Sequence, residues 1–225
     1  LFQDSDAETF QKGSATIALE TEPPFDNYLF IETKKQFIEE LEILRSKHPE
    51  RSIQIVPEDS NQFLQQWCES MDWRKNRAVA FLDPYGGQVE WETLKSIAET
   101  EAIDLWLLFP LGMVVNRMLT RREPDPSWAN RLDIIFGTSE WQTEFYRKPQ
   151  QDSLFPDEQD LEKNASFESI RDFFIKRLSS IFTAVATPRP LYNRKNVPIF
   201  LLCFAAGNPK AASLAVKIAN DILLK

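Results

Sequence analysis

Asp83 and Pro84, followed by Tyr85 and Gly86, close an apolar run that extends from Ala78 to Leu82. A short apolar run that stops at Asp-Pro reads as a buried strand ending in a rigid turn. In open α/β sheets, ligands sit outside the carboxyl ends of the strands. The Asp83 carboxylate and the Pro84 carbonyl can each accept a hydrogen bond from an amino group. Holding an amine that way aims its lone pair at an electrophile, which is catalysis by positioning. Tyr85 supplies a flat face on which a base can stack, a contact worth roughly 1–3 kcal/mol. The plainer reading of the same residues is a tight turn, with proline at a favoured position and Gly86-Gly87 relaxing the backbone.

Two other apolar runs end in acid. Tyr28 to Ile31 leads into Glu32, and Ile53 to Val56 leads into Pro57, Glu58 and Asp59. In a doubly wound sheet such ends share one rim, where an acid after a strand can receive ribose hydroxyls or an exocyclic amino group. The expectation is a nucleoside-containing ligand, with Glu32 on the ribose, Asp59 on the base, and Ser60 and Asn61 lining the rim. Three solvated loop acids are the alternative.

The elements needed to hold these residues alternate along the chain. After a polar start, Ser14 reads as the cap of a short helix over Ala15 to Glu20, stopped by Pro23-Pro24. The strand at Tyr28 is followed by a helical stripe of Phe37, Ile38, Leu41 and Leu44. The strand at Ile53 is followed by Phe63, Leu64 and Trp67 on one helical face. The strand at Val79 is followed by Trp91, Leu94, Ile97 and Ala98, and a fourth strand covers Ile103 to Phe109. This rhythm predicts one α/β domain over residues 1–225, with a mostly parallel sheet and helices on both faces.

The rhythm breaks after Pro110. A mainly helical insertion is expected over about residues 111–165, with a helix over Leu111 to Leu119, a polar loop from Arg121 to Pro126, and two helical pieces divided by Gly137. Lys148 to Ala165 is polar, acidic and aperiodic. Phe167, Ile170, Phe174, Leu178 and Ile181 restore a helical stripe. Thr183 to Tyr192 and Pro198 to Ala205 read as an antiparallel hairpin turning at Asn193 to Asn196, before a last amphipathic helix from Lys210 to Leu224.

Composition narrows the function classes. The 43% hydrophobic and 27% charged residues are those of a soluble globular chain. A net charge of −8 argues against non-specific attraction to polyanions, but leaves room for local basic faces. Candidates are Arg74, Lys75 and Arg77; Arg121 and Arg122; and Arg189, Arg194 and Lys195. Cys68 and Cys203 have no CxxC partner, so neither a disulfide scaffold nor a zinc site is expected, and a cytoplasmic location fits. The single histidine, His48, precedes Pro49 at a predicted helix end, where it serves the helix terminus rather than catalysis. No signal peptide or membrane-length apolar run is visible.

Several segments occur in order that resemble a known family. They are Asn27-Tyr28-Leu29-Phe30-Ile31-Glu32; Phe81 to Gly86 with Trp91 soon after; Asp104-Leu105-Trp106-Leu107-Leu108-Phe109-Pro110; Phe136-Gly137-Thr138-Ser139-Glu140-Trp141; and Pro198 to Ala205 with Asn208-Pro209. Together they resemble the three-Cys-motif partner proteins, bacterial proteins with a Rossmann-like, class I methyltransferase-like fold. The resemblance implies S-adenosylmethionine as cofactor, methyl transfer as activity, and a partner protein carrying three cysteines. Family members open with a strand and a Phe-Ala-Gly-Pro-Gly loop expected to hold the methionine end of the cofactor, and the resemblance implies that this chain starts just after that loop. The amino-methyltransferase pattern of Asp or Asn, two prolines and an aromatic is matched by Asp83-Pro84-Tyr85 with one proline fewer.

The leading expectation is therefore an S-adenosylmethionine-dependent methyltransferase, or a descendant of one, acting on an amine of a nucleic acid. Asp83 and Pro84 would orient the nucleophile and Tyr85 would stack. The runner-up is a non-catalytic partner protein whose insertion contacts the three-cysteine protein, with Trp128 and Trp141 as anchors. A metal-dependent nuclease is a third class, requiring carboxylates that converge on a metal ion.

Overall fold

The computed structural model describes residues 13–84, 86–148 and 161–224. Contacts divide the chain into two compact units, Leu1–Phe63 and Leu64–Lys225, with the division inside one helix. It is a mixed α/β protein.

The first unit is built around one βαβ crossover. After α1 (Ser14–Leu19) come β1 (Tyr28–Ile31), α2 (Lys35–Lys47) and β2 (Ile53–Val56), and then the start of α3 (Ser60–Ser70). β1 and β2 pair in parallel, with Tyr28 opposite Ile53 and Ile31 opposite Val56. Gly13, not Ser14, is the N-cap of α1, and no side chain caps that helix. The Ser14 hydroxyl therefore lies inside the first turn, one residue late for capping. His48 closes α2 as its C-cap, 3.5 Å from Glu50.

In the second unit the end of α3 leads to β3 (Ala78–Leu82), α4 (Trp91–Glu99) and β4 (Ile103–Phe109). β3 and β4 are parallel, with Ala78 opposite Ile103 and Leu82 opposite Leu107. β4 is buried at alternate positions, as a strand covered unequally on its two faces must be. On α4 the expected stripe of Trp91, Leu94, Ile97 and Ala98 is buried, with Thr93 beside it.

Beyond β4 the sheet changes character. β7 (Ala184–Val185), β8 (Arg189–Tyr192) and β9 (Pro198–Ala206) complete five strands, in the order β3-β4-β9-β7 with β8 also on β9. β9 is antiparallel to β4, β7 and β8. This sheet is therefore mixed. The expectation of one mostly parallel sheet is met within the pairs β1·β2 and β3·β4 only, and no described ladder joins those pairs. The closing hairpin appears at the predicted place, its outer strand broken between β7 and β8. α9 (Ala212–Leu223) covers one face, burying Ala212, Ala219 and Leu223 with Phe204, Ala186 and Ala206.

The segment after Pro110 is helical, in a form that the apolar pattern does not reveal. Leu111–Val115 is a π-helical turn running into α5 (Asn116–Met118). The N–H groups of Val114 and Val115 both donate to the Pro110 carbonyl, at 3.2 Å each. α6 spans Pro126–Phe136, so it begins inside the expected polar loop. Asp125 caps it, accepting from Ser127 N at 2.8 Å and Trp128 N at 3.3 Å, with Pro126 in the first helical turn. α7 (Trp141–Phe145), β5 (Tyr146–Arg147) and β6 (Glu162–Lys163) follow, then α8 (Phe167–Leu178), which opens with a Ser166–Ser169 capping box. Much of the acidic stretch from Lys148 to Ala165 lies outside the described residues.

An aromatic core holds these helices to β4. Phe109 stacks on Phe174 with centroids 3.8 Å apart, and Phe136 meets Phe173 edge-on at 5.1 Å. Phe145 completes the group, 5.2 Å from Phe173. Such pairs each add about 0.5–1.5 kcal/mol beyond the area they bury.

Candidate functional site

In the first unit, the parallel register brings Glu32 and the residues after Val56 to one rim. The Glu32 N–H donates to the Val56 carbonyl at 3.1 Å, extending the ladder by one step. Glu32, Asp59, Ser60 and Asn61 thus stand at adjacent carboxyl ends, as their strand positions predict. Both acids already serve the backbone. Glu32 Oε1 accepts from the N–H groups of Thr33 and Lys34, each at 2.8 Å. Asp59 Oδ1 accepts from Asn61 N at 3.0 Å and Gln62 N at 3.1 Å, capping α3. Ser60 is half-buried and Asn61 is buried, at 8% exposure. The second oxygen of each carboxylate is what remains for a ligand hydroxyl or amine.

In the second unit, Asp83 and Pro84 stand at the carboxyl end of β3, while Tyr85 lies outside the described residues. Asp83 is exposed as a residue, yet the wall beside it partly desolvates its carboxyl and lifts it above the ordinary aspartate pKa. Pro84 is half-buried and turns inward. With Gly86, Gly87, Val89, Leu94, Leu107, Phe109, Pro110, Ile135 and Phe174 it lines an apolar crevice of about 10 Å³. That is close to the space one water needs, so the crevice is packing rather than a seat for a base. The Asp83 side of this strand end is the one open to solvent.

The loop after Pro84 is held from several directions. Gly86 adopts φ 78°, a left-handed conformation that favours glycine. Gly87 lies so close to Ile135 and Val114 that an added Cβ would meet them at 2.9 and 3.0 Å. An Arg131 nitrogen donates to the Gly87 carbonyl, and the same guanidinium lies 3.8 Å from Glu90. Arg131 and the π-helical turn are the parts that residue types and spacing did not single out. Arg131 looks like any polar residue on a helix, and its target is 44 residues away. A π-turn differs from an α-turn by one residue in hydrogen-bond span, which apolar spacing does not register over five residues.

The cysteines are both buried free thiols. Burial pushes Cys68 up to about 11 and raises Cys203 still further, so neither is a nucleophile in this conformation. Among the described residues no group of three His, Cys, Asp or Glu side chains is placed to hold a metal ion. Among the same residues no helix is long and apolar enough to cross a membrane.

Comparison with protein-family models, with curated proteins and with solved structures finds no match to this chain.

Proposed function

We propose that this chain is a Rossmann-like, S-adenosylmethionine-dependent methyltransferase, or a descendant of one, acting on an amine of a nucleic acid in the cytoplasm. The observation that carries the reading is the acid at each of three strand ends: Glu32 after β1, Asp59 after β2 and Asp83 after β3. Glu32 and Asp59 share one rim with an oxygen each to spare, suiting a ribose hydroxyl and an adenine amino group. Asp83 is exposed, and the Pro84 carbonyl beside it is the second acceptor for an amine. The turn of β9 against the parallel pair β3·β4 is also the topology of methyltransferase-like sheets, a likeness of architecture alone.

Calorimetric titration of S-adenosylmethionine into the full-length protein tests this reading. Saturable heat that Glu32→Ala weakens supports it, and the absence of binding removes it.

The second reading, a non-catalytic partner of a three-cysteine protein, draws on Trp128. This tryptophan is 39% exposed on α6, whereas Trp141 is buried and donates to Asp133 Oδ1 at 2.7 Å. Trp128→Ala would weaken co-purification with such a partner and leave cofactor binding untouched.

A further inference from the structure

The turn joining β8 to β9 is placed by the ladder of β9 on β4. Phe109, the last residue of β4, pairs with Leu201, and Leu82 at the end of β3 pairs with Leu107. Because β9 is antiparallel, the residues preceding Leu201 run past that rim. Pro198 is three residues further out and pairs with Tyr192, so the turn begins about 10 Å beyond the strand ends. It projects from the end of the sheet that carries Asp83.

The turn is stiff. Asn193 Oδ1 accepts from Lys195 N at 2.9 Å and Val197 N at 3.0 Å. Asn193 N donates to the Val197 carbonyl at 3.0 Å, and Asn196 N to the Asn193 carbonyl at 2.9 Å. Asn196 takes φ 56°, which asparagine tolerates better than most residues. At the root, Gly112 of the π-turn lies against the Pro198 carbonyl. A loop already ordered loses little entropy on binding.

Its exposed side chains are Tyr192, Asn193, Arg194, Lys195, Asn196 and Val197. Tyr192 is 53% exposed. Among the described residues the Lys195 ammonium has no ion pair or hydrogen bond. Arg171 on α8 is near enough to interact with Tyr192 electrostatically, although Asp172 at 2.8 Å partly neutralises it. The chain as a whole is acidic, with net charge −8. At physiological salt, however, charges more than about 8 Å apart are largely screened. A ligand at the projecting tip therefore meets Arg194 and Lys195 of the turn, and beside Tyr192 the group of Arg171 with Asp172 and Glu168, more strongly than the charge of the rest of the chain.

We propose that the β8–β9 turn is a cationic lip that docks single-stranded nucleic acid, with Arg194 and Lys195 on phosphates and Tyr192 stacking on a base. It extends the nucleic-acid reading above and rests on it for the identity of the substrate. A flat aromatic beside paired cations suits a strand with exposed bases better than an acidic protein surface, which offers nothing to stack.

The test is fluorescence anisotropy with labelled oligothymidylate and oligouridylate on the full-length protein, over about 0.05–0.2 M salt. Wild type should bind with a slope of log K on log salt near −1.4, the value for about two phosphate contacts on a single strand. Arg194→Gln with Lys195→Gln should weaken binding about tenfold and flatten the slope. Tyr192→Ala should weaken it about fivefold or more without changing the slope. Unchanged melting temperatures would exclude unfolding as the cause, and Tyr192→Phe, which keeps the ring, should restore binding. No binding by wild type overturns the proposal, as does equal binding by the glutamine variant. Polyglutamate binding as tightly as the oligonucleotides would also overturn it, by showing a site for any polyanion. Cofactor binding without oligonucleotide binding sinks the lip alone, whereas the reverse result sinks the methyltransferase reading and keeps the lip.

Discussion

The guanidinium of Arg177 lies over the indole of Trp91, 4.6 Å from the ring centroid. The same guanidinium donates to the carbonyls of Phe136 at 3.1 Å and Gly137 at 3.2 Å. One side chain of α8 thus closes the carboxyl end of α6 and clamps the first residue of α4. Gly137 is the left-handed C-cap of α6, at φ 64°, and a Cβ there would overlap Trp91. Arg177→Ala should cost about 2 kcal/mol, from the lost cation–π contact and the unpaired carbonyls. Arg177→Lys should recover only part, because a point charge lacks the planar fork. Gly137→Ala should cost more than Arg177→Ala, because backbone strain and steric overlap add. Urea denaturation midpoints check the ranking, and an Arg177→Lys variant as stable as wild type would show that charge alone suffices.

Asp83 makes a pH prediction with a definite sign. Its carboxyl is raised above the ordinary value by desolvation, so the native state holds this proton more tightly than the unfolded chain does. Stability from this group therefore falls as pH rises from the unfolded to the folded pKa, and a small penalty persists at neutral pH. Asp83→Asn should melt slightly higher than wild type at pH 7, with the difference vanishing in acid. If Asp83 also orients an amine, the same variant loses methyl transfer while gaining stability. Thermal melts at several pH values give the first result, and a variant less stable than wild type at pH 7 would contradict it.

Glu32 and Asp59 separate a structural role from a ligand role. Each carboxylate caps two backbone N–H groups through one oxygen, so alanine at either position should cost about 1 kcal/mol with no ligand present. Asp59→Asn keeps an oxygen for the cap and should recover most of that loss. Against S-adenosylmethionine, the prediction is weaker binding by Glu32→Gln at unchanged stability. Equal affinity in wild type and Glu32→Gln would leave Glu32 as a turn residue.

Much of this arrangement is legible in the chain because it is local. The four runs at Tyr28, Ile53, Ala78 and Ile103 are strands with nearly the expected bounds, since an apolar stretch cut by Pro, Asp or Glu carries its own signal. α4 shows its buried face as a 3.6-residue stripe. The end of α6 at Gly137 is legible, but its start is not, because Asp125-Pro126-Ser127, a helix start, also has the composition of a loop, and the exposed Trp128 blurs the stripe. The strand-end acids could be read, but their capping of nearby N–H groups could not, because it depends on which way each oxygen points. Arg131 on Gly87 and Arg177 on Phe136 are further out of reach. They join residues 44 and 41 apart, and nothing in local composition marks such pairs.

Gly112 ties the π-turn to the start of β9, and its substitution reads out both. A Cβ there would run into the Pro198 carbonyl, which belongs to backbone paired with Tyr192 and cannot yield as a flexible side chain can. Gly112→Ala should therefore destabilise by about 1–3 kcal/mol, the usual cost of overpacking. Gly13→Ala is a steric control, since no atom lies within 4 Å of a Cβ at that position, and as the N-cap of α1 it should itself cost under about 1 kcal/mol. Because Pro198 is the root of the projecting turn, Gly112→Ala should also weaken oligonucleotide binding below the unfolding temperature, although residue 112 bears no charge. Denaturation midpoints and anisotropy on the two alanine variants decide the matter. Equal midpoints would mean that the β9 backbone moves aside at little cost, and the turn would then lack the stiffness assigned to it.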